Sequence, residues 1–94
     1  MTRESGEFVT MKEIDKTLEP QAVLSAYLGE LGRRILALRK ARAMSQQSLA
    51  DAANLDRTYI SAVEHGKQNV TIGAVAKLSS ALKISLHDLL VGPN

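Results

Sequence analysis

Apolar residues recur at helical spacing along the last two thirds of the chain. Leu28, Leu31, Ile35 and Leu38 lie three or four residues apart, which places them on one face of a helix. The spacing predicts a first core helix over about Leu31 to Arg42. Leu49, Ala50 and Ala53 predict a short second helix, and Ile60 and Val63 a third, with Leu55 as an apolar plug between them. Ile72, Val75, Leu78 and Leu82 predict a fourth helix and form its buried stripe. Leu86, Leu89 and Leu90 give a fifth helix its apolar side.

Polar residues punctuate this pattern. Ser45, Asp56, Thr71 and Ser85 each stand just before a helix, where a short oxygen-bearing side chain accepts a bond from an unpaired backbone N–H. Asp88, three residues after Ser85, completes a pair resembling a capping box. Asn54 falls where the turn needs a left-handed backbone, which Asn tolerates better than most residues. Gly66 ends the third helix in the same conformation. Gly92 and Pro93 stop the fifth. The expectation is an all-α domain of five helices with short connections.

The first third reads differently. Phe8, Val9, Met11 and Ile14 follow neither helical nor strand spacing, so a short strand and a loose arm both remain open. Pro20 suits the first turn of a helix, and Gln21 to Tyr27 could continue it. Gly29 and Gly32 each cost about 1 kcal/mol inside a helix relative to Ala, so a kink or break is expected there. Residues 1–30 are therefore expected to be an N-terminal extension, partly disordered or with a short helix. Residues 31–92 are expected to be the folded domain.

Charge sharpens this division. Residues 1–30 carry three basic and six acidic side chains, and residues 31–94 carry nine basic and four acidic ones. A compact basic domain behind an acidic tail fits a polyanionic partner. There is no cysteine among the 94 residues, hence no disulfide framework and no thiolate metal site. His65 and His87 are far apart, and no Ser–His–Asp arrangement or carboxylate cluster is suggested. Neither an enzyme, a metal nor a cofactor is expected. No apolar run approaches membrane-spanning length, so the expected compartment is the cytoplasm, with no membrane partner.

The central stretch, Gln46 to His65, has the spacing of a helix-turn-helix, in which the second helix enters the DNA major groove. Ala50 is small where that helix crosses closely. With Ile60 and Val63 turned to the core, Arg57, Thr58, Ser61, Ala62 and His65 fan across the opposite face. Arg pairs bidentately with a guanine edge, Thr meets a base edge or a thymine methyl, and Ala allows close approach. Arg57, Thr58, Ser61 and Ala62 are the candidate base readers.

From about Leu31 to Val91 the sequence resembles the DNA-binding domain of Cro- and phage-repressor-type regulators, the XRE family. LDRTYISAVEHGKQN is similar to the recognition helix and following loop of restriction–modification controller proteins. The resemblance implies a repressor-like five-helix fold and phosphate contacts from Gln46, Tyr59, Lys67, Gln68 and Asn69. Gln68 stands where a basic residue is frequent. It further implies that Arg39 and Glu64 form an ion pair that fixes the recognition helix without touching bases. Dimerisation through the last helix would use Leu89, Leu90 and Val91.

The function implied is a sequence-specific transcriptional regulator that binds an inverted repeat in double-stranded DNA as a homodimer. The alternative is an antitoxin or adaptor whose main partner is a protein, held through residues 1–20, with operator binding secondary.

Overall fold

A computed structural model describes residues 19–92 of the chain. These residues form five helices. They are α1 (Pro20–Ala41), α2 (Gln46–Ala53), α3 (Arg57–Glu64), α4 (Ile72–Leu82) and α5 (Leu86–Val91). The strand or arm considered for residues 1–20 lies outside the described residues, apart from its last two positions.

The core follows the helical periodicity. Leu31 and Ile35 of α1, Leu49 of α2, Ile60 of α3, Val75, Leu78 and Leu82 of α4 and Leu89 of α5 are all fully buried in one cluster. Leu38, Met44, Leu55 and Tyr59 pack against it from its margins. The helix starts are locally specified. The hydroxyls of Ser45, Thr71 and Ser85 accept the backbone N–H of Ser48, Ala74 and Asp88 at 2.9, 3.0 and 3.0 Å.

The helix ends share one device. Asn54, Gly66 and Lys83 adopt left-handed backbone at the ends of α2, α3 and α4, and Ala43 does so just after α1. In each case the following residue reaches back to a carbonyl in the last turns of the helix. Leu55 N–H donates to Ala50 and Lys67 N–H to Ala62, both at 2.9 Å, the pattern of a Schellman end.

Three expectations are corrected. The first concerns Gly29 and Gly32, through which α1 runs unbroken for 22 residues, across the 30/31 boundary drawn from sequence. A Cβ at Gly32 would collide with the carbonyl oxygens of Val63 and Glu64, and one at Gly66 would lie 3.0 Å from the Cα of Gly29. The glycines mark the close crossing of α1 over the end of α3, and that packing offsets their poor helix propensity. Upstream, the Glu19 carboxylate accepts Ala22 N–H at 2.8 Å and Pro20 occupies the first turn, so the helix starts well before the core stripe.

The second correction is Ile72, which is 63% exposed rather than buried. As the first residue of α4, it projects beyond the end of the layer that buries Ala74, Val75 and Leu78. The third is Asp56. It occupies the cap position of α3 with extended backbone, but its side chain accepts no capping bond.

The two ends of the domain are tied together by α1. Tyr27 donates its hydroxyl hydrogen to the carbonyl of Leu90 at 2.6 Å, and Arg34 donates to the carbonyl of Leu89 at 2.7 Å. These are the unpaired carbonyls at the end of α5, natural partners for a guanidinium. Arg34 is thus half-buried and holds the last helix in place.

Candidate nucleic-acid interface

The turn between α2 and α3 sets the interface. Asn54, at φ 57° and ψ 49°, reverses the chain within one residue, and Leu55 drops into the gap. Ala50, fully buried, leaves room for α3 to cross α2. Ile60 and Val63 anchor the inner face of α3 in the core.

The outer face of α3 is left free. Arg57, Thr58, Ser61, Ala62 and His65 line a shallow depression of about 380 Å³ together with Lys67 from the following loop. Arg57, Thr58, His65 and Lys67 are exposed, whereas Ser61 and Ala62 form a partly covered floor. The His65 ring nitrogen Nδ1 lies 2.8 Å from the carbonyl of Ser61, so the ring folds over the helix end. An arginine and a lysine at the rim and small side chains at the floor suit a polyanion that approaches closely.

The residues expected at phosphates lie around this depression. Lys67 and Asn69 are exposed, and Gln68 is half-buried with its amide 3.5 Å from the carbonyl of Asn69. Tyr59 is half-buried and packs against the core margin. Gln46, at the first position of α2, does not point free into solvent. Its Nε2 donates to Glu64 at 3.0 Å and its Oε1 accepts from Arg57 Nη1 at 3.1 Å.

Behind the depression sits a buried ion pair. Arg39 Nε donates to Glu64 Oε2 at 2.5 Å and Nη2 donates to Oε1 at 3.0 Å. The third nitrogen, Nη1, donates to the carbonyl of Met44 at 2.8 Å. One guanidinium thereby joins the end of α1, the entry to α2 and the exit of α3. Burial pushes the Glu64 carboxyl up. Hydrogen bonds from Arg39 and Gln46, with the nearby charges of Arg39 and His65, outweigh it and hold the group below the ordinary carboxylate value. The hydrogen bond to Glu64 likewise raises Arg39, against its own desolvation.

The residues expected at a dimer contact divide. Leu89 is fully buried within the protomer, so its side chain is not available to a partner. This corrects the expectation. An i, i+3, i+4 count cannot tell a helix face turned to its own core from one turned outward. Leu90 is half-buried and Val91 is 58% exposed. Val23 and Tyr27, one turn apart on α1, are exposed as well.

Sequence reasoning missed the link from Glu64 through Gln46 to Arg57. Its only signal was that Gln46 and Arg57 are the first residues of two helices joined by a tight turn. It also missed the bonds from Tyr27 and Arg34 to α5. Among the described residues, no group of three or more His, Cys, Asp or Glu could hold a metal ion, and no helix is long and apolar enough to cross a membrane.

Comparison with known proteins places this geometry. The family described as helix-turn-helix matches residues 35–89. The control protein C.MunI of Mycoplasma sp is 42% identical over 59 residues, which are 62% of this chain and 80% of that protein. The control protein C.BamHI of Bacillus amyloliquefaciens is 40% identical, over 63% of this chain and 74% of its own length. The crystal structure of the restriction-modification controller protein C.AhdI from Aeromonas hydrophila aligns with a TM-score of 0.67 at 41% identity. The alignment spans 68% of this chain and 97% of that one.

Proposed function

The chain belongs to the XRE-type helix-turn-helix family, and from that premise we propose that it controls transcription by reading an inverted-repeat operator as a homodimer. That it is a DNA-binding transcriptional regulator of the controller-protein type follows from the family and its relatives. The finer reading assigns the parts. α3 enters the major groove with Arg57, Thr58, Ser61 and Ala62 at base edges. Gln46, Tyr59, Lys67, Gln68 and Asn69 meet phosphates on either side.

The observation that carries this reading is the depression on the outer face of α3. It is open, bordered by Arg57 and Lys67, and floored by side chains small enough for a base edge to approach. Arg39 and Glu64 hold that face at a fixed angle from behind.

Two-fold pairing is supported by exposed apolar surface at Val91 and along Val23 and Tyr27, which Tyr27 links to the end of α5. Symmetric pairing would set two recognition helices about one DNA turn, roughly 34 Å, apart.

Selection of bound duplexes from a random pool tests the reading. The expected product is a two-fold symmetric sequence with half-sites about one turn apart. Enrichment of no sequence over the starting pool would overturn it.

A further inference from the structure

Four side chains from three helices form one unbroken hydrogen-bonded series. It runs from Arg39 in α1 to Glu64 at the end of α3, to Gln46 at the start of α2, and to Arg57 at the start of α3. One end is a buried ion pair and the other is the exposed arginine at the rim of the outer face.

We propose that Glu64 is a positioning residue for base readout, setting through Gln46 where the guanidinium of Arg57 points. The proposal rests on the DNA-reading role given to Arg57 above.

The chemistry of the series gives it a direction. An ionised carboxylate only accepts hydrogen bonds, so the amide of Gln46 must turn its NH2 toward Glu64. Its carbonyl oxygen then faces the other way, toward Arg57, whose guanidinium only donates. Each link permits a single polarity, and reversing the amide would set its NH2 against a cation. One N–H of Arg57 is thereby held, and the rest of its planar fork remains for a base edge. A free surface arginine would have to be ordered on binding, at an entropic cost that holding it beforehand reduces. Gln46 keeps a second N–H, so a phosphate contact at the same residue stays compatible.

Replacing Glu64 by glutamine removes the polarity while keeping the shape. The neutral amide both donates and accepts, so Gln46 can turn over and release Arg57. Replacing Gln46 by methionine cuts the series while leaving Arg39 and Glu64 paired.

The test measures affinities of the unmodified chain, Glu64→Gln and Gln46→Met for the selected operator, its single-base variants and a scrambled duplex. Each is measured with and without Arg57→Ala, and thermal melts are run alongside. Both variants are expected to lose about three- to tenfold of discrimination at the base pair affected by Arg57→Ala. Discrimination elsewhere is expected to persist, and no further discrimination is lost once Arg57 is alanine; losing the phosphate contact of Gln46 adds only a uniform drop on every duplex in Gln46→Met.

A uniform drop on every duplex, with all ratios unchanged, would make Glu64 a structural residue only and overturn the proposal. If Glu64→Gln does not fold, Gln46→Met decides by the same ratios. If the unmodified chain does not separate operator from scrambled DNA, the DNA reading itself fails and the positioning role falls with it.

Discussion

Glu64 shows most clearly how a single residue serves the fold. Its two oxygens accept three hydrogen bonds, two from Arg39 and one from Gln46. Removing Arg39 would strand that carboxylate, at up to about 3–5 kcal/mol for a fully buried pair. The pair also couples stability to pH. Because the folded carboxyl lies below its unfolded value near 4.5, its contribution is complete above that value. It is lost as pH falls through the lower folded value, when the carboxylate must take up a proton. Thermal melts from pH 7 to pH 3 are expected to show a steeper acid loss in the unmodified chain than in Glu64→Gln. Identical acid profiles would show that the pair contributes nothing.

At this scale the sequence was legible wherever a residue's role is local. Ser45, Thr71 and Ser85 cap their helices by their own short side chains, and Asn54 takes its left-handed backbone from its own tolerance. Asp56 and Ile72 were misread because their surroundings decide them: one side chain makes no capping bond, and the other overhangs the core. The Glu64–Gln46–Arg57 series joins residues up to eighteen positions apart, and no propensity or period encodes it.

Among the elements, α1 departs furthest from its sequence pattern. Two glycines three residues apart predict a break, yet the helix is continuous because its partner is backbone. The two positions differ in what lies beside them. An added methyl at Gly32 would overlap the carbonyls at the end of α3, whereas one at Gly29 would meet only Arg33 Nη1 at an ordinary 3.5 Å. Gly32→Ala is therefore expected to destabilise by at least about 1–3 kcal/mol, the usual cost of overpacking. Gly29→Ala is expected to gain up to about 1 kcal/mol from helix propensity. Opposite shifts in melting temperature would check this pair. Equal shifts of the same sign would mean that the crossing of α1 over α3 is looser than the carbonyl positions require.

For the whole molecule, the periodicity was sufficient to predict five helices and the core, because one buried stripe per short helix leaves few ways to pack. It was not sufficient to separate inner from outer surface on α5, where Leu89 belongs to the core and Val91 to the exterior. The proposed pairing through Val91, Leu90 and the exposed side of α1 has a direct consequence. Val91→Glu is expected to shift sedimentation from dimer to monomer at micromolar concentration without lowering the melting temperature of the protomer. An unchanged dimer would move the contact elsewhere on the molecule. Binding is also expected to weaken steeply with salt, since the basic residues 31–94 displace counterions from phosphates.

The central claim is that Arg57 reads a base while Lys67, on the same rim, meets a phosphate. Both are exposed and both border one depression, so charge alone does not distinguish them. The decisive measurement is the affinity of Arg57→Ala and Lys67→Ala for the selected operator and for each of its single-base variants at fixed salt. Arg57→Ala is expected to lose about 1–3 kcal/mol on the operator and markedly less where the contacted base pair is already changed. Lys67→Ala is expected to weaken every duplex by about the same factor. An Arg57→Ala loss equal on every sequence would make that arginine a phosphate clamp and contradict the assignment of the outer face of α3 as the base-reading surface.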